Sequence, residues 1–232
     1  MKSKTTLVIL VWNEIDAIKE LFPLIPLDAV SETIVIDGGS NDGTAEFLKS
    51  KGLKVYQQKH RGRGNAFIEG LKYAKNDKII FFSGDGNEDP KDIPKVAYWL
   101  DKGYDMVIAG RFILNGSQSD DSDDPLRIRK GGNILMSWIA NVIWDTGVKD
   151  AINGFRGFKR SAMVQLKLDA PKHEIEIQST IRAAKLGLKI KEIPTHELLR
   201  MGGRRKTTAG TFTLAKNLGI YMLREMFNGK KF

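Results

Sequence analysis

The stretch IIFFSGDGNEDP, residues 79–90, decides the fold and indicates where to look for a site. Its four apolar residues are typical of a buried strand, and they run directly into a polar loop that contains two glycines. Ligands of open α/β sheets bind beyond the carboxyl ends of strands, so acidic residues there indicate chemistry. Asp85, Asn87 and Asp89 alternate, a spacing that can turn several oxygens toward one hard cation. A solvated, helix-capping turn explains the same residues, and both interpretations stay open here.

The segments around this stretch predict a doubly wound α/β sheet. Strands predicted at 6–11, 33–36, 53–57, 78–82 and 105–109 alternate with helices predicted at 15–24, 44–51, 66–74 and 90–100. Such alternation indicates βαβ units and a mostly parallel, Rossmann-like sheet flanked by helices. Right-handed crossovers then place the carboxyl end of every strand on one rim. Six polar residues fall on that predicted rim: Asn13, Glu14, Asp37, Asp42, Asp85 and Arg111.

The second half of the chain is less regular. Residues 117–124 are acidic and rich in serine, which predicts a loop of the kind that often serves as a lid. The other predicted elements are helices at 127–144, 173–186 and 211–227, a strand at 189–193, an extended or turned segment at 149–159 and a basic loop at 200–206. We expect one domain over residues 1–210, followed by an amphipathic, basic helix over residues 211–232.

Composition excludes some classes of protein and favours an anionic partner. The 232 residues include no cysteine, which excludes disulfides and thiolate chemistry. No run reaches the roughly 18 apolar residues of a membrane span. The formal charge of +9 favours a nucleic acid, a phosphorylated substrate or an acidic membrane surface, although lysine-rich solubility gives the same charge. The cations are not interleaved with aromatic residues as single-strand binders require, so we expect no nucleic-acid partner.

Two further loops have the chemistry of nucleotide contacts. DGGSNDGT, residues 37–44, combines carboxylates for ribose or base contacts with glycines that let the backbone approach a ligand closely. RGRGN, residues 61–65, is similar to a phosphate-binding loop before a helix, but it matches neither a P-loop nor a dinucleotide fingerprint. A tight turn explains each of them equally well, so neither identifies a site alone.

Taken together and in order, these segments resemble family 2 glycosyltransferases of the GT-A fold, in the branch of dolichol-phosphate mannose synthase. The resemblance rests on segments spread over nearly the whole chain: WNE at 12–14, VIDGGSNDGT at 35–44, GRGNA at 62–66, DGNEDP at 85–90, DAINGFRGFKR at 150–160, IKEIP at 190–194 and the basic loop at 200–206. Each motif is weak alone, whereas the joint pattern is specific.

The resemblance implies a metal-assisted, inverting transfer of a hexose, mannose or glucose, from a GDP- or UDP-sugar to a polyprenyl phosphate of the dolichyl type. Asp85 matches the second aspartate of the family's Asp-x-Asp motif and Asn87 the polar residue two further on, so both are implied ligands of Mg²⁺ or Mn²⁺. Such a cation neutralises negative charge on the departing nucleoside diphosphate. The residues implied to contact the nucleotide are Asn13, Glu14, Asp37, Asp42, Gly64, Asn65 and Ser83.

The chain departs from the family pattern at two positions. Ser83 stands where the family has the first aspartate of Asp-x-Asp, which removes one carboxylate from the metal or ribose site. Asp89 could compensate, but an Asp-Pro pair is more typical of a helix start. If Ser83 occupies the aspartate position, Ser83→Asp is expected to tighten Mn²⁺ binding. Arg205 stands where the family has a serine before the lysine.

The resemblance also assigns cations to phosphate. Arg111, with Arg127 or Arg129, falls where this branch binds the acceptor phosphate, while Arg200 and Lys206 fall where it closes a basic loop over the diphosphate. The guanidinium fork suits phosphate because it donates two parallel hydrogen bonds.

The acceptor decides whether a general base is needed. A phosphate with a second pKa of about 6 is already an oxyanion at neutral pH, so no base is required. A sugar hydroxyl requires one, and Asp150 and Glu174 are the candidates. A structural role is favoured for Glu174, so the candidate catalytic residues are Asp150 together with Asp85 and Arg111, the two that the resemblance implies.

Two helices bear on the cellular location. The segments at 127–144 and 211–227 each combine an apolar face with cations at their ends, which indicates docking at a membrane surface or packing against the core or a second copy. We expect a peripheral enzyme at the cytoplasmic face of a membrane, with a homodimer or a small membrane partner as open alternatives. A soluble family 2 enzyme acting on a saccharide or small-molecule hydroxyl and an inactive nucleotide-binding module are the competing functions.

Overall fold

A computed structural model describes residues 3–117, 128–201, 211–229 and 232. Within these residues the strands are β1 (Ser3–Val11), β2 (Val30–Asp37), β3 (Lys54–Gln57), β4 (Lys78–Ser83), β5 (Met106–Gly110), β6 (Arg156–Lys159) and β7 (Ile190–Pro194). The α-helices are α1 (Ile15–Leu21), α2 (Thr44–Ser50), α3 (Arg63–Tyr73), α4 (Ile93–Asp101), α5 (Ile128–Trp144), α6 (Arg160–Gln165), α7 (Glu174–Lys185) and α8 (Thr211–Phe227). Short 3₁₀ turns occupy Phe22–Leu24, Leu27–Ala29 and Pro90–Asp92.

The strands form one sheet in the order β3-β2-β1-β4-β6-β5-β7. β6 pairs antiparallel with both of its neighbours, β4 and β5, whereas the other pairings are parallel. The predicted fold class, a mostly parallel α/β sheet flanked by helices, is therefore confirmed. The carboxyl ends of β1, β2, β4 and β5 lie along one edge of this sheet, which is where open α/β sheets bind ligands.

Two apolar clusters cover the two faces of the sheet. Leu7 and Ile9 of β1 belong to one cluster, and Val8 and Leu10 belong to the other. This alternation follows from the period of two along a strand. Because both faces are covered, the central strands are continuous apolar runs, and polar chemistry is left to the loops at the strand ends.

Several observed elements differ from the predicted ones; β2, for example, begins at Val30 rather than at residue 33. α3 begins at Arg63 rather than at residue 66, after Gly62 with its φ of +147°. The segment at 149–159, predicted to be extended or turned, includes β6, which is inserted between β4 and β5. α6 was not predicted, because six residues are too few to show a helical period. Apart from Ser117, the acidic run at 117–124 lies outside the described residues.

Buried charges attach α8 to α7. Glu225 is fully buried, and its carboxylate accepts hydrogen bonds from Arg182 Nε at 2.9 Å and from Lys185 Nζ at 3.0 Å. Leu218 and Met222 add apolar contacts with the main core cluster. These contacts hold the middle and second half of α8 against α7 and the core.

Helices α5 and α8 expose apolar side chains to solvent. We call this set the apolar face: Ile128, Ile134, Leu135, Trp138, Val142 and Ile143 on α5, with Ile220, Leu223, Met226 and Phe227 on α8. The two helices contact each other. Grouped apolar side chains of this kind are typical of interaction surfaces. Among the described residues, every helix is too short or too polar to span a bilayer.

Candidate functional site

Two loops meet over the carboxyl end of β4. The loop after β4 turns at Gly86, whose φ is +82° and where an added side chain would collide with Met201. The backbone N–H of Leu198 donates to Asn87 O at 2.8 Å, and that of Met201 donates to Asp85 O at 3.1 Å. The segment that follows β7 is therefore tied along the loop that follows β4.

Two adjoining cavities open at this rim. The larger has a volume of 640 Å³, and its lining includes Trp12, Glu14, Gly38, Arg61 and Asn217. The lining of the smaller cavity includes Asn87, Glu88, Arg111, Arg129, Asn153 and Glu197. The residues that line both cavities are Arg63, Ser83, Asp85, His173, Glu174, Arg200 and Leu214. Small-molecule sites measure about 300–1,000 Å³, so the larger cavity can hold a ligand of nucleotide size.

Arg200 bridges two acidic residues at the wall between the cavities. Its Nη1 lies 3.2 Å from Asp85 Oδ2, and its Nη2 donates to Glu14 Oε1. Water screens these charges only in part, because the Glu14 and Arg200 side chains are 7% and 14% exposed. The wall thus combines carboxylate oxygens that suit a hard cation with a guanidinium that suits phosphate.

A second arginine, Arg63, lies between β4 and α7. Its Nη1 donates to Ser83 Oγ at 3.0 Å, and its Nε donates to Glu176 Oε1 at 2.5 Å. Its Nη2 lies 3.5 Å from Glu88 Oε1. Arg63, Glu88 and Glu176 were not among the predicted site residues. The position of Arg63 within the RGRGN stretch was the available signal for it, whereas the position of Glu88 depends on how the loop folds back.

The carboxylate of Glu88 folds back onto the end of β4. Its Oε2 accepts a hydrogen bond from the Ser83 backbone N–H at 2.7 Å, and its Oε1 accepts one from Ser83 Oγ at 2.9 Å. Burial and the nearby charge of Asp85 raise the pKa of Glu88 to about 7, although Arg63 acts in the opposite direction. A carboxylate therefore lies directly beside the serine that interrupts the Asp-x-Asp pattern.

Arg111 and Asp150 form a buried bidentate pair. Arg111 Nε donates to Asp150 Oδ2 at 2.7 Å, and its Nη2 donates to Oδ1 at 3.0 Å. Arg111 Nη1 also lies 3.2 Å from Glu197 Oε2. Burial acts to lower the pKa of Arg111, but the charges and hydrogen bonds of Asp150 and Glu197 raise it overall. In this arrangement Asp150 orients Arg111, because both of its oxygens are already engaged.

Asn13 and Asp37, two predicted nucleotide contacts, hold the first two loops together. Asp37 accepts hydrogen bonds from the backbone N–H of Ser40 at 3.0 Å and from its hydroxyl. Asn13 Oδ1 accepts one from the Asn41 backbone N–H at 2.8 Å. The residues next to them in the chain line the larger cavity, so these bonds shape its wall.

Asp42 ties the loop after β1 to the start of α2. Its Oδ2 accepts a hydrogen bond from the Ile15 backbone N–H at 3.1 Å, and its Oδ1 accepts one from the Thr44 backbone N–H at 3.0 Å. Burial acts to raise the pKa of Asp42, but hydrogen bonds from Thr44 and Ile15 outweigh it and lower the pKa. Asp42 therefore fixes how the chain enters α2, whose N-cap residue is Gly43.

Gly64 and Asn65 lie against the segment at 170–171 and not on the described lining of either cavity. A Cβ at Gly64 would lie 1.8 Å from Ala170 O, and the Asn65 backbone N–H donates to Pro171 O at 3.2 Å. Arg129 does line the smaller cavity. Arg127 and Lys206 lie outside the described residues.

Two buried oxygens beside the smaller cavity have unmet hydrogen-bonding capacity. Oε2 of Glu174 and Oε2 of Glu176 are buried, and neither has a hydrogen-bond partner in the described part of the structure. A buried acceptor without a partner costs about 1–3 kcal/mol. Ligand hydroxyls would satisfy such oxygens, so this wall suits a polar, uncharged group.

Sequence comparison identifies the family. Residues 6–166 match the family described as Glycosyl transferase family 2. Glycosyltransferase AglJ of Haloferax volcanii is 28% identical over 187 residues, which cover 79% of this chain and 59% of AglJ. UDP-N-acetylglucosamine–dolichyl-phosphate N-acetylglucosaminyltransferase of Methanococcus voltae is 28% identical over 211 residues, which cover 81% of this chain and 83% of that enzyme. This chain thus spans less than two thirds of AglJ but most of the second relative.

Structural comparison supports the same fold. Glucosyl-3-phosphoglycerate synthase of Mycobacterium tuberculosis, crystallised with Mn²⁺ and UDP-glucose, superposes with a TM-score of 0.73 at 20% identity. The match covers 95% of this chain and 78% of that one. The same enzyme has also been crystallised with Mg²⁺ and UDP. At this level of identity the likeness establishes the shared fold.

Proposed function

Because this chain belongs to glycosyl transferase family 2, we propose that it transfers a hexose, mannose or glucose, from a GDP- or UDP-sugar to a polyprenyl phosphate. The observation that carries the proposal is the contact of Asp85 with Arg200 at the wall between two cavities. A donor in the larger cavity would present its diphosphate to this wall. An acceptor phosphate in the smaller cavity would approach it from the side of Arg111 and Arg129.

The larger cavity has surfaces that suit a nucleoside. The guanidinium carbon of Arg61 lies 3.2 Å from the ring centroid of Trp12, so two flat groups are stacked at this wall. Aromatic and guanidinium planes bind nucleobases by stacking. A small residue at position 38 suits this close approach, because a Cβ on Gly38 would lie 3.1 Å from Trp12 Cβ. Asn13, Asp37 and Asp42 would then act by shaping the loops around the nucleotide.

We propose Mg²⁺ or Mn²⁺ as the cofactor, held by Asp85 and Asn87. Among the described residues no three histidine, cysteine or acidic side chains are arranged so that they could hold a metal ion by themselves. Mg²⁺ commonly binds through one or two carboxylates together with substrate phosphates, so this sparse set of oxygens fits a cation that arrives with the donor. When bound, the cation neutralises the charge that develops on the departing nucleoside diphosphate.

The smaller cavity suits an acceptor that needs no general base. Asp150 is fully buried, lines neither cavity and has both oxygens engaged by Arg111, so it is not positioned to take a proton from an acceptor. A phosphate acceptor is an oxyanion at neutral pH and attacks without deprotonation. Arg111 and Arg129 would then supply most of the catalysis by positioning the acceptor phosphate and neutralising its charge.

The apolar face is proposed to rest on the membrane that contains the acceptor lipid. Its exposed side chains include Trp138, an aromatic residue of the kind that favours the headgroup region. The net charge of +9 favours anionic headgroups. α5 and α8 also line the smaller cavity, through Arg129 and Leu214, so a surface under these helices would be close to the acceptor side.

The proposal is tested by following label from radioactive GDP-mannose, UDP-glucose and UDP-N-acetylglucosamine into a lipid phase that contains polyprenyl phosphate. We expect one donor to label the lipid in the presence of Mn²⁺, and EDTA or Asp85→Asn to abolish the labelling. Glu46→Gln, an exposed change on α2, serves as the matched control. Absence of lipid-linked label with every donor would rule out the polyprenyl phosphate acceptor.

A soluble phosphorylated acceptor is the second candidate. Glucosyl-3-phosphoglycerate synthase, which shares the fold, has been crystallised with phosphoglyceric acid. The same arginines would serve such an acceptor, because they recognise its phosphate. Labelled product that stays in the water phase and forms without lipid would favour this alternative. Nucleotide binding without any transfer would indicate an inactive binding module.

A further inference from the structure

We propose that Glu88 supplies the carboxylate that is missing at Ser83, as the second acidic group of the cation and diphosphate site at the end of β4. This inference rests on the proposed function, because it concerns how the donor and its cation are held. The departure from Asp-x-Asp at Ser83 is then a change in which residue supplies the carboxylate, not the loss of a carboxylate. In this chain the acidic group lies five residues further along and folds back to the same place.

The geometry of β4 and its loop supports this assignment. Glu88 Oε1 lies 2.9 Å from Ser83 Oγ, and Glu88 Oε2 lies 2.7 Å from the Ser83 backbone nitrogen. The side chain of an aspartate at position 83 would start from the same Cα as that of Ser83. Its oxygens would then lie close to where the Glu88 oxygens lie now. The Glu88 side chain is 8% exposed and lines the smaller cavity together with Asp85.

The guanidinium of Arg63 offsets the cost of burying the Glu88 carboxylate at this point. Arg63 lies 3.5 Å from Glu88 Oε1 and donates to Ser83 Oγ at 3.0 Å, so the three groups form one network. A buried carboxylate without such a partner would be strongly destabilising. Arg63 in turn reaches this position only because residue 154 is glycine. The position of the Glu88 carboxylate therefore depends on three other residues: Arg63, Ser83 and Gly154.

The network changes what is expected of Ser83→Asp. A new carboxylate at position 83 would lie within about 3 Å of the Glu88 carboxylate, and two such groups cannot easily both be ionised. The single variant is therefore expected to gain less than threefold in Mn²⁺ affinity. The double variant Ser83→Asp/Glu88→Gln moves the carboxylate to the family position and leaves only one acidic group there.

The test measures Mn²⁺ affinity in the presence of UDP and, separately, of GDP, by electron paramagnetic resonance of free Mn²⁺. The proteins are wild type, Glu88→Gln, Ser83→Asp, the double variant and the exposed control Glu46→Gln. We expect Glu88→Gln to weaken Mn²⁺ binding at least tenfold. The double variant should return to within threefold of wild type, and the control should match wild type. Thermal unfolding of each protein separates loss of binding from loss of fold.

The outcomes distinguish this inference from the proposed function. If wild type binds Mn²⁺ with a nucleotide and Glu88→Gln binds it equally well, the role of Glu88 is refuted and the proposed function stands. A tenfold gain in Mn²⁺ affinity from Ser83→Asp alone also refutes the role of Glu88. Such a gain would mean that no carboxylate served the cation at that point in the wild type. If wild type binds no Mn²⁺ with either nucleotide, both the inference and the proposed function fail.

Discussion

Gly154 lies against the guanidinium of Arg63 so closely that a Cβ at residue 154 would stand 1.7 Å from Arg63 Nη2. The two residues are 91 positions apart in the chain (154 − 63), and only the folded sheet brings them together. The missing side chain at Gly154 thus determines where the charge of Arg63 is held. Experiments can distinguish a glycine that is needed to place the Arg63 guanidinium from a glycine that is needed only for folding.

Gly154→Ala is expected to fold but to transfer sugar poorly, because the flexible end of the Arg63 side chain is displaced from Ser83 while its charge stays near the buried carboxylates of Glu88 and Glu176. Gly64→Ala is the contrasting variant, since its Cβ would lie 1.8 Å from the backbone oxygen of Ala170, which cannot move independently. That change should cost about 3 kcal/mol of folding free energy. Urea unfolding together with a transfer assay checks both. Equal stability losses in the two variants would contradict this interpretation.

Arg200→Ala is expected to slow transfer by roughly 100-fold, as removal of a preorganised cation from a phosphate site does. Mn²⁺ affinity should not fall, because the change frees Asp85 from its ion pair. Arg200→Lys should recover only part of the rate, since lysine lacks the planar fork. Steady-state kinetics and Mn²⁺ titration measure the two effects. Lys75→Ala, an exposed change, is the control.

Asp150→Asn is expected to lower the free energy of unfolding by about 3 kcal/mol, because it leaves the buried charge of Arg111 poorly compensated. The comparison is Arg224→Ala, which breaks an ion pair whose side chains are 42% and 47% exposed. Such exposed pairs contribute about 1 kcal/mol or less. Denaturant unfolding of both variants measures the two losses of unfolding free energy. Similar losses would show that burial of the Arg111–Asp150 pair does not cause the larger expected effect.

Trp138→Glu and Val142→Glu are expected to reduce binding to vesicles that contain anionic lipid by at least fivefold. Both side chains belong to the apolar face, are about 60% exposed and lie four residues apart on one side of α5. The matched control is Val164→Glu, a similarly exposed apolar residue on α6. Vesicle co-sedimentation provides the measurement. A change from dimer to monomer, with vesicle binding unaltered, would instead identify the face as a contact between copies.

Asp42 should make folding stability depend on acidity. Its pKa is lowered in the folded protein below the ordinary value of 3.8, so it contributes stability above that pH. That contribution is lost as the pH falls through the folded-state value. The stability difference between wild type and Asp42→Asn should therefore shrink in acid. Unfolding free energies measured across this range test the sign, and a difference that grows in acid would contradict it.

Residue patterns were sufficient to predict most of the fold. Apolar runs and helical periods depend on neighbours along the chain, so the strands and the rim with Glu14, Asp85 and Arg111 followed from them. The match of residues 6–166 confirms the predicted family. The roles of the individual site residues, and the membrane partner, remain predictions.

What the sequence could not predict are contacts between distant segments. The pairing of Arg63 with Glu176 joins residues 113 positions apart, and no local pattern encodes it. The insertion of β6 between β4 and β5 and the return of Glu88 to Ser83 were missed for the same reason. Gly64 and Asn65 resembled a phosphate loop because a helix start packed on Ala170 also needs a small residue.

The place of β6 in the sheet has a consequence for the order in which the protein assembles. β4 is complete at residue 83, but its partner on one side begins only at residue 156. During synthesis, an apolar strand edge therefore waits for more than 70 residues to emerge from the ribosome. Unpaired edges of this kind recruit other chains. Fragments that stop before β6 should therefore aggregate, and aggregation should cease once β6 is present to pair with β4.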